Sequence, residues 1–309
     1  MFNLKVSKFS NNILGVMMML VHSISLSFYY IIIEVISNKI HPLQTSLMYT
    51  STMLVCITIS CCKLGLKHNL KTNFLKHHIM RGFFSSLATI FLFFSIQIIG
   101  VSDATALSKL EHCIMTLVGI FVFNEKLDKS KIVLFVGSII STILLVDLTN
   151  IIFTFNKGYL FMLLSLFFWI MNNIFIKKLT VTEKSKSQLF YSSFFSLLVN
   201  IMFIFIIYFL PNYIQDRICF KWCIIDLESF IFISLLALTK FLHKLMFFKA
   251  YKLSDLSIVS PFDYSRLIFI SFLAFLFFGR LPTIREIVGY LCIIITGVYF
   301  ITYHRGKCF

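Results

Sequence analysis

Charge is the scarcest property of this sequence. Only 13% of its 309 residues are Asp, Glu, Lys or Arg, while 59% are hydrophobic and the mean hydropathy is +0.91. A soluble domain holds roughly 25% charged and 45–50% apolar residues, so a large soluble α/β protein cannot place these unbroken apolar runs. Acidic residues are rarer still, 13 against 28 Lys and Arg, for a formal net charge of +15. That imbalance would suit nucleic acid if it sat on a polar domain. Here the basic residues lie between apolar runs, where they set membrane topology and attract anionic lipid; no nucleic-acid partner is expected.

Familiar enzyme signatures are missing as well. There is no Gly-rich phosphate loop, no GxSxG, no HExxH and no zinc-type Cys spacing. No metal or cofactor is therefore expected, and ATP hydrolysis within the chain is not. Of the eight cysteines, Cys56, Cys61, Cys62, Cys113 and Cys292 fall in or beside apolar runs and Cys308 lies in the tail. Cys219 and Cys223 share one polar segment, where a disulfide is conceivable.

What is present is a series of ten apolar runs, near 12–37, 43–62, 79–99, 102–124, 130–148, 157–179, 188–210, 228–250, 255–279 and 284–303. Most are about 20 residues long, the length that crosses ~30 Å of hydrocarbon as a helix. The first continues to Ile36, well past the 7–15 apolar residues of a signal peptide, and is expected to be retained. With the N-terminus inside, 18 Lys and Arg fall in inner segments and 6 in outer ones. This split puts both termini in the cytoplasm. Lys63–Arg81 spaces Leu66, Leu70 and Phe74 between lysines, which fits either a surface-lying amphipathic helix or a polar loop.

Two stretches carry charge at membrane depth. Ser254–Pro282 reads SDLSIVSPFDYSRLIFISFLAFLFFGRLP, and Gly100–Leu127 reads GVSDATALSKLEHCIMTLVGIFVFNEKL. Each opens at a short polar turn, holds charges in an apolar run, and closes on FGR or FNE. A shift of 155 aligns Phe123 with Phe278, Ile132 with Ile287 and Val133 with Val288; a shift of 143 aligns Gly15 with Gly158 and Met19 with Met162. Five spans per half is odd, so the second half would enter the membrane inverted. The expected fold is an all-α polytopic membrane protein of ten transmembrane helices, built as two inverted five-helix repeats over 12–148 and 157–303, with a binding site near mid-membrane.

These two stretches resemble the fourth-helix pattern of the drug/metabolite transporter superfamily, specifically its ten-helix EamA-type permeases. The likeness covers about 12–303. Ala106 stands where the pattern often has Pro, and Arg280 where the second copy usually ends in Glu. PFDYSRL and the MNNIFIKKL of Met171–Leu179 also resemble members of that family, in intracellular bacteria, that take up S-adenosylmethionine. The resemblance implies an integral protein of a bacterial inner (plasma) membrane that carries a small metabolite, working as a monomer or homodimer among membrane lipids.

An ionisable residue inside a span is a functional candidate, because it persists mainly where it faces a bundle interior or a water-filled path. The solute candidates are Lys109, Glu111 and His112 in the fourth span; Trp169, Asn172 and Asn173 in the sixth; Lys240 in the eighth; and Asp263, Tyr264 and Arg266 in the ninth. Asp263 and Arg266, at i and i+3, either satisfy one another and neighbouring helices or grip the two ends of a zwitterion. Lys109 and Glu111, at i and i+2, cannot both face one cavity. Trp169 with the two asparagines offers an aromatic wall and amide hydrogen bonds, or else helix–helix glue. A secondary carrier working by alternating access is the expected function. A lipid-modifying membrane enzyme, or a channel or scaffold, is the alternative.

Overall fold

The computed structural model of the chain describes residues 2–37, 39–62, 72–108, 110–123, 129–145, 156–180, 183, 185–209, 222–253, 262–263 and 265–306. Among them are ten α-helices and no strand. They are α1 (Phe2–Ser37), α2 (Pro42–Cys62), α3 (Leu75–Ser108), α4 (Leu110–Phe123), α5 (Lys129–Leu145), α6 (Lys157–Thr180), α7 (Ser185–Tyr208), α8 (Leu227–Leu253), α9 (Ser265–Phe278) and α10 (Ile284–Gly306). Among the described residues, six stretches are long and apolar enough to cross a bilayer: Ile13–Ser37, Pro42–Cys62, Leu75–Ser108, Lys157–Ile176, Lys186–Tyr208 and Leu227–Ala250. Ser265–Phe278 is a shorter apolar helix.

Helix boundaries follow local chemistry. Pro42 opens α2 at the position where its missing N–H is harmless, and His41 Nδ1 accepts from the Leu43 amide at 3.3 Å. Thr72 Oγ1 accepts from the Phe74 amide ahead of α3. Asp226 caps α8 by accepting from the Ser229 amide at 3.3 Å, and its hydrogen bonding to Ser229 holds the carboxyl below the ordinary carboxylate range. Thr283 and Glu286 form a reciprocal capping box at α10, with Glu286 N donating to Thr283 Oγ1 and Thr283 N to Glu286 Oε2. At the end of α9, Gly279 takes φ +66° while its N–H bonds the Phe275 carbonyl at 2.9 Å, closing an αL motif.

The third and fourth apolar runs part at Gly100: within Leu75–Ser108 its backbone is non-helical (φ 76°, ψ 169°), so α3 is two helical segments meeting at a kink. Side-chain-bearing residues essentially never adopt that backbone, and forcing one into it costs of order 1–3 kcal/mol. Gly100→Val is expected to lower the melting temperature of the detergent-solubilised protein by several degrees. Arg81, which the charge count placed in a polar inner segment, lies within α3 and is 2% exposed. Its Nη1 donates to the Gln188 backbone oxygen at 3.2 Å and to Oε1 at 2.9 Å. A guanidinium reaches such depth only with partners in place. The lysines of the Lys63–Lys71 stretch and Cys219 lie outside the described residues, whereas the Cys223 backbone is held by Gln44, whose Nε2 donates to its oxygen at 2.7 Å.

Two compact units divide the chain. The first comprises Met1–Ile31, Val101–Asn156 and Leu242–Phe309; the second comprises Ile32–Gly100 and Lys157–Phe241. In the second unit α2 packs on α7, around Leu43, Ile90 and Ile207 with Phe94, Phe203 and Ile204. Phe84, Phe91, Phe161 and Phe168 of α3 and α6 stack along one another, the Phe91 and Phe168 rings at 5.7 Å and 7°. Hydroxyls stitch the helices: Ser165 Oγ donates to Ala88 O, Ser196 Oγ to Gly82 O, and Ser46 Oγ to Asn200 Oδ1. Lipid offers no hydrogen bonds, so polar atoms within the apolar spans must find such partners inside the protein.

In the first unit α10 and α4 both pack on α5. Ser141 Oγ donates to the Gly289 carbonyl at 2.8 Å, and Leu267 packs on Tyr290 and Ile294. Outward faces in both units are strongly apolar: Val55, Met202, Phe205, Leu238, Phe272 and Leu276 are each more than half exposed. Such surface would drive a water-soluble protein to aggregate, whereas hydrocarbon accommodates it.

Candidate solute site

In the first unit, α1 ties down the short turn that precedes α9. Ser23 Oγ donates to the Phe262 oxygen at 3.1 Å, and Ser27 Oγ donates to the Arg266 oxygen at 3.3 Å. Ser265 Oγ also bonds Phe262 O, so helix α9 begins only at Ser265. Asp263 lies in a short 3-10 turn ahead of α9. Its Oδ1 meets His22 Nε2 at 3.1 Å. Arg266 is 7% exposed, with its guanidinium 5.9 Å from the centre of the Tyr30 ring. Tyr30 lies within electrostatic reach of Arg266, Glu111 and Asp263 together. Both signs of charge therefore converge around one buried phenol.

The second unit holds a separate polar patch. The Lys240 ammonium sits 5.3 Å from the centre of the Trp169 ring, and Lys240 is 7% exposed. Asn172 is buried, and its Oδ1 has no hydrogen-bond partner among the described residues. A buried unpaired amide oxygen costs stability, and a solute N–H would relieve that cost. Asn173 is half-buried on the same helix. A cavity of about 680 Å³ elsewhere in this unit is lined by Phe91, Phe94, Phe161, Gln97, Lys39 and Lys157, and by none of the expected solute residues. Gln97 there donates to the Ser37 carbonyl at 2.7 Å, a helix-joining role.

Of the expected residues, the structure groups Glu111, Asp263 and Arg266 in one unit and Trp169, Asn172, Asn173 and Lys240 in the other. Lys109 and Tyr264 lie outside the described residues, and of His112 only its place on α4 is described. Sequence reasoning passed over His22 and Tyr30. The signal for His22 was available: it is an ionisable residue near the middle of the first apolar run, a default candidate by the same rule that picked out Arg266.

Comparison with known proteins agrees with this picture. The EamA-like transporter family model matches residues 13–147 and 156–303. An S-adenosylmethionine uptake transporter of Rickettsia prowazekii (strain Madrid E) is 25% identical over 242 residues, covering 78% of this chain and 76% of its own. The protein of the same name from Rickettsia bellii (strain RML369-C) is 24% identical over 241 residues, with 78% and 77% covered. A solved protein crystal structure shares the fold, with a TM-score of 0.63 at 15% identity over 95% of this chain and 98% of the other. The relatives are transporters, not enzymes. The chain is an integral membrane protein that belongs to the EamA-like transporter family.

Proposed function

We propose that this transporter is a secondary carrier of a bacterial inner membrane that moves a small zwitterionic metabolite, with S-adenosylmethionine as the leading solute and amino-acid-like molecules next. One observation carries the reading: Arg266 lies buried against Tyr30, with Glu111 and Asp263 in electrostatic reach. A zwitterion needs a cation for its carboxylate and an anion for its ammonium or sulfonium, and charges at membrane depth are retained where a path or site uses them. Lys240 against Trp169, with the unpaired Asn172 amide oxygen, offers a second place for a carboxylate, an aromatic ring and an N–H donor. The names of the rickettsial relatives supply the lead to S-adenosylmethionine.

The reading includes ten spans as two inverted five-helix repeats over 12–148 and 157–303, working by alternating access with both termini cytoplasmic. Two separate family matches of similar length support the repeats, and the 18 to 6 split of basic residues supports the orientation. Counterflow tests the carrier itself. Vesicles containing the protein and preloaded with unlabelled S-adenosylmethionine should take up external label transiently above equilibrium, and unloaded vesicles should not. Equal uptake in both would indicate a channel. No uptake in either would remove this solute and move the screen to amino acids, amines and nucleotides.

A further inference from the structure

His22 makes three polar contacts with two nitrogens. Nε2 lies 3.1 Å from Asp263 Oδ1, and Nδ1 lies 3.1 Å from the backbone oxygen of His243 and 2.9 Å from His243 Nδ1. A neutral imidazole offers one donor and one acceptor. With its proton on Nε2, His22 donates to Asp263 and accepts from His243 Nδ1–H, but its bare Nδ1 then faces the His243 carbonyl. With its proton on Nδ1, it satisfies that carbonyl while its bare Nε2 faces a carboxylate oxygen. Only the imidazolium donates to both oxygens, with His243 Nδ1 left as an acceptor. The heavy-atom positions thus suit two arrangements that differ by one proton on His22, with His243 carrying its own proton on Nδ1 in one and on Nε2 in the other.

The surroundings make that proton consequential. His22 is 2% and His243 8% exposed, and the Phe247 ring centre lies 5.2 Å from that of His22. Among the described residues, Tyr30 on α1 lies in electrostatic reach of Asp263, of Glu111 on α4 and of Arg266 on α9, and Lys244 follows His243 on α8. Protonated His22 and ionised Asp263 form a neutral pair. When the proton leaves, the half-buried Asp263 carboxylate loses the charge on the imidazole that it touches, a loss that weighs more away from water. An ammonium or sulfonium arriving beside Asp263 would offset that loss. A cationic solute and the His22 proton therefore compete for one carboxylate.

We propose that His22, Asp263 and His243 form a proton-binding site that exchanges one proton for the cationic group of the solute. The proton on His22 passes to water on the side to which the site is open, and returns when the solute leaves Asp263. This inference rests on the carrier reading above but can fail separately from it.

The test uses the full-length protein in phosphatidylethanolamine–phosphatidylglycerol vesicles, with the membrane voltage clamped by potassium and valinomycin and labelled S-adenosylmethionine as the probe. With the interior one pH unit more acidic, one-for-one exchange raises steady-state accumulation about tenfold, since one unit equals a tenfold factor. In His22→Gln the ratio with and without the gradient falls to about one, and in His243→Gln it is reduced. A wild-type ratio of one, or an unchanged ratio in His22→Gln, overturns the proposal. If the wild type shows no counterflow at equal pH, the solute assignment has failed, and the proton site is judged without solute. Infrared difference spectra of the solubilised protein stepped from pH 8 to pH 5 should contain imidazolium and carboxylate bands that are missing from the otherwise similar spectrum of His22→Gln and altered in that of Asp263→Asn. Identical spectra in wild type and His22→Gln overturn the site outright.

Discussion

Arg266→Gln lowers the rate of S-adenosylmethionine counterflow by at least ~10-fold, while the protein still inserts and elutes as a single species from size exclusion. Arg266 is almost wholly buried, and its guanidinium lies over Tyr30 in the same electrostatic neighbourhood as Glu111 and Asp263. A hydrogen bond to a charged group contributes about 1.5–3 kcal/mol, which corresponds to roughly a 10- to 150-fold change in binding. Glutamine keeps much of the stem and a donor but loses the charge. Arg266→Lys keeps the charge while losing the planar fork that matches a carboxylate, so it should recover part of the rate and no more. Counterflow in Arg266→Gln within about threefold of wild type would mean that the solute carboxylate is held elsewhere, and Lys240→Gln would then be the variant to measure.

Gly82→Leu removes most of the folded protein, read as a loss of monodisperse material after solubilisation and a large fall in melting temperature. A Cβ built on Gly82 would stand 2.3 Å from Phe195 Cβ and 3.1 Å from the Phe195 backbone. Two helices thus touch backbone to backbone, and the approach brings Ser196 Oγ to the Gly82 carbonyl at 2.9 Å. Overpacking typically costs 1–3 kcal/mol. Here the obstacle includes main chain, so relief requires parting α3 from α7, and with them the contacts of the adjacent Arg81 with Gln188, about two turns away along α7. Gly82→Ala should lie between wild type and Gly82→Leu. Near-wild-type melting for both variants would show that this crossing is not close in the membrane.

Particular residues show how far the sequence could be read. Arg266 and Lys240 were legible as candidates because a charge in an apolar run is conspicuous whatever surrounds it. The bond between His22 and Asp263 was not, since the two are separated by 241 positions and no pattern along the chain links them. Helical periodicity also did not mark where α9 starts: Ser23 and Ser265 hold the Phe262 carbonyl, and Asp263 lies in a turn ahead of the helix. Arg81 misled for a related reason. It sits among lysines at the edge of a polar segment, and only Gln188 on another helix accounts for its burial.

By itself, the sequence determined that this is an all-helical membrane protein of the transporter class. Hydrocarbon admits long unbroken apolar helices and penalises every charge placed within them, so composition and run length suffice for that much. Tertiary structure alone decided which buried charges meet. That Asp263 meets His22, and that Arg81 lies inside and not at the surface, depends on hydrogen bonds between elements far apart in the chain. Those bonds form only once helices approach closely enough for buried donors and acceptors to find one another instead of water.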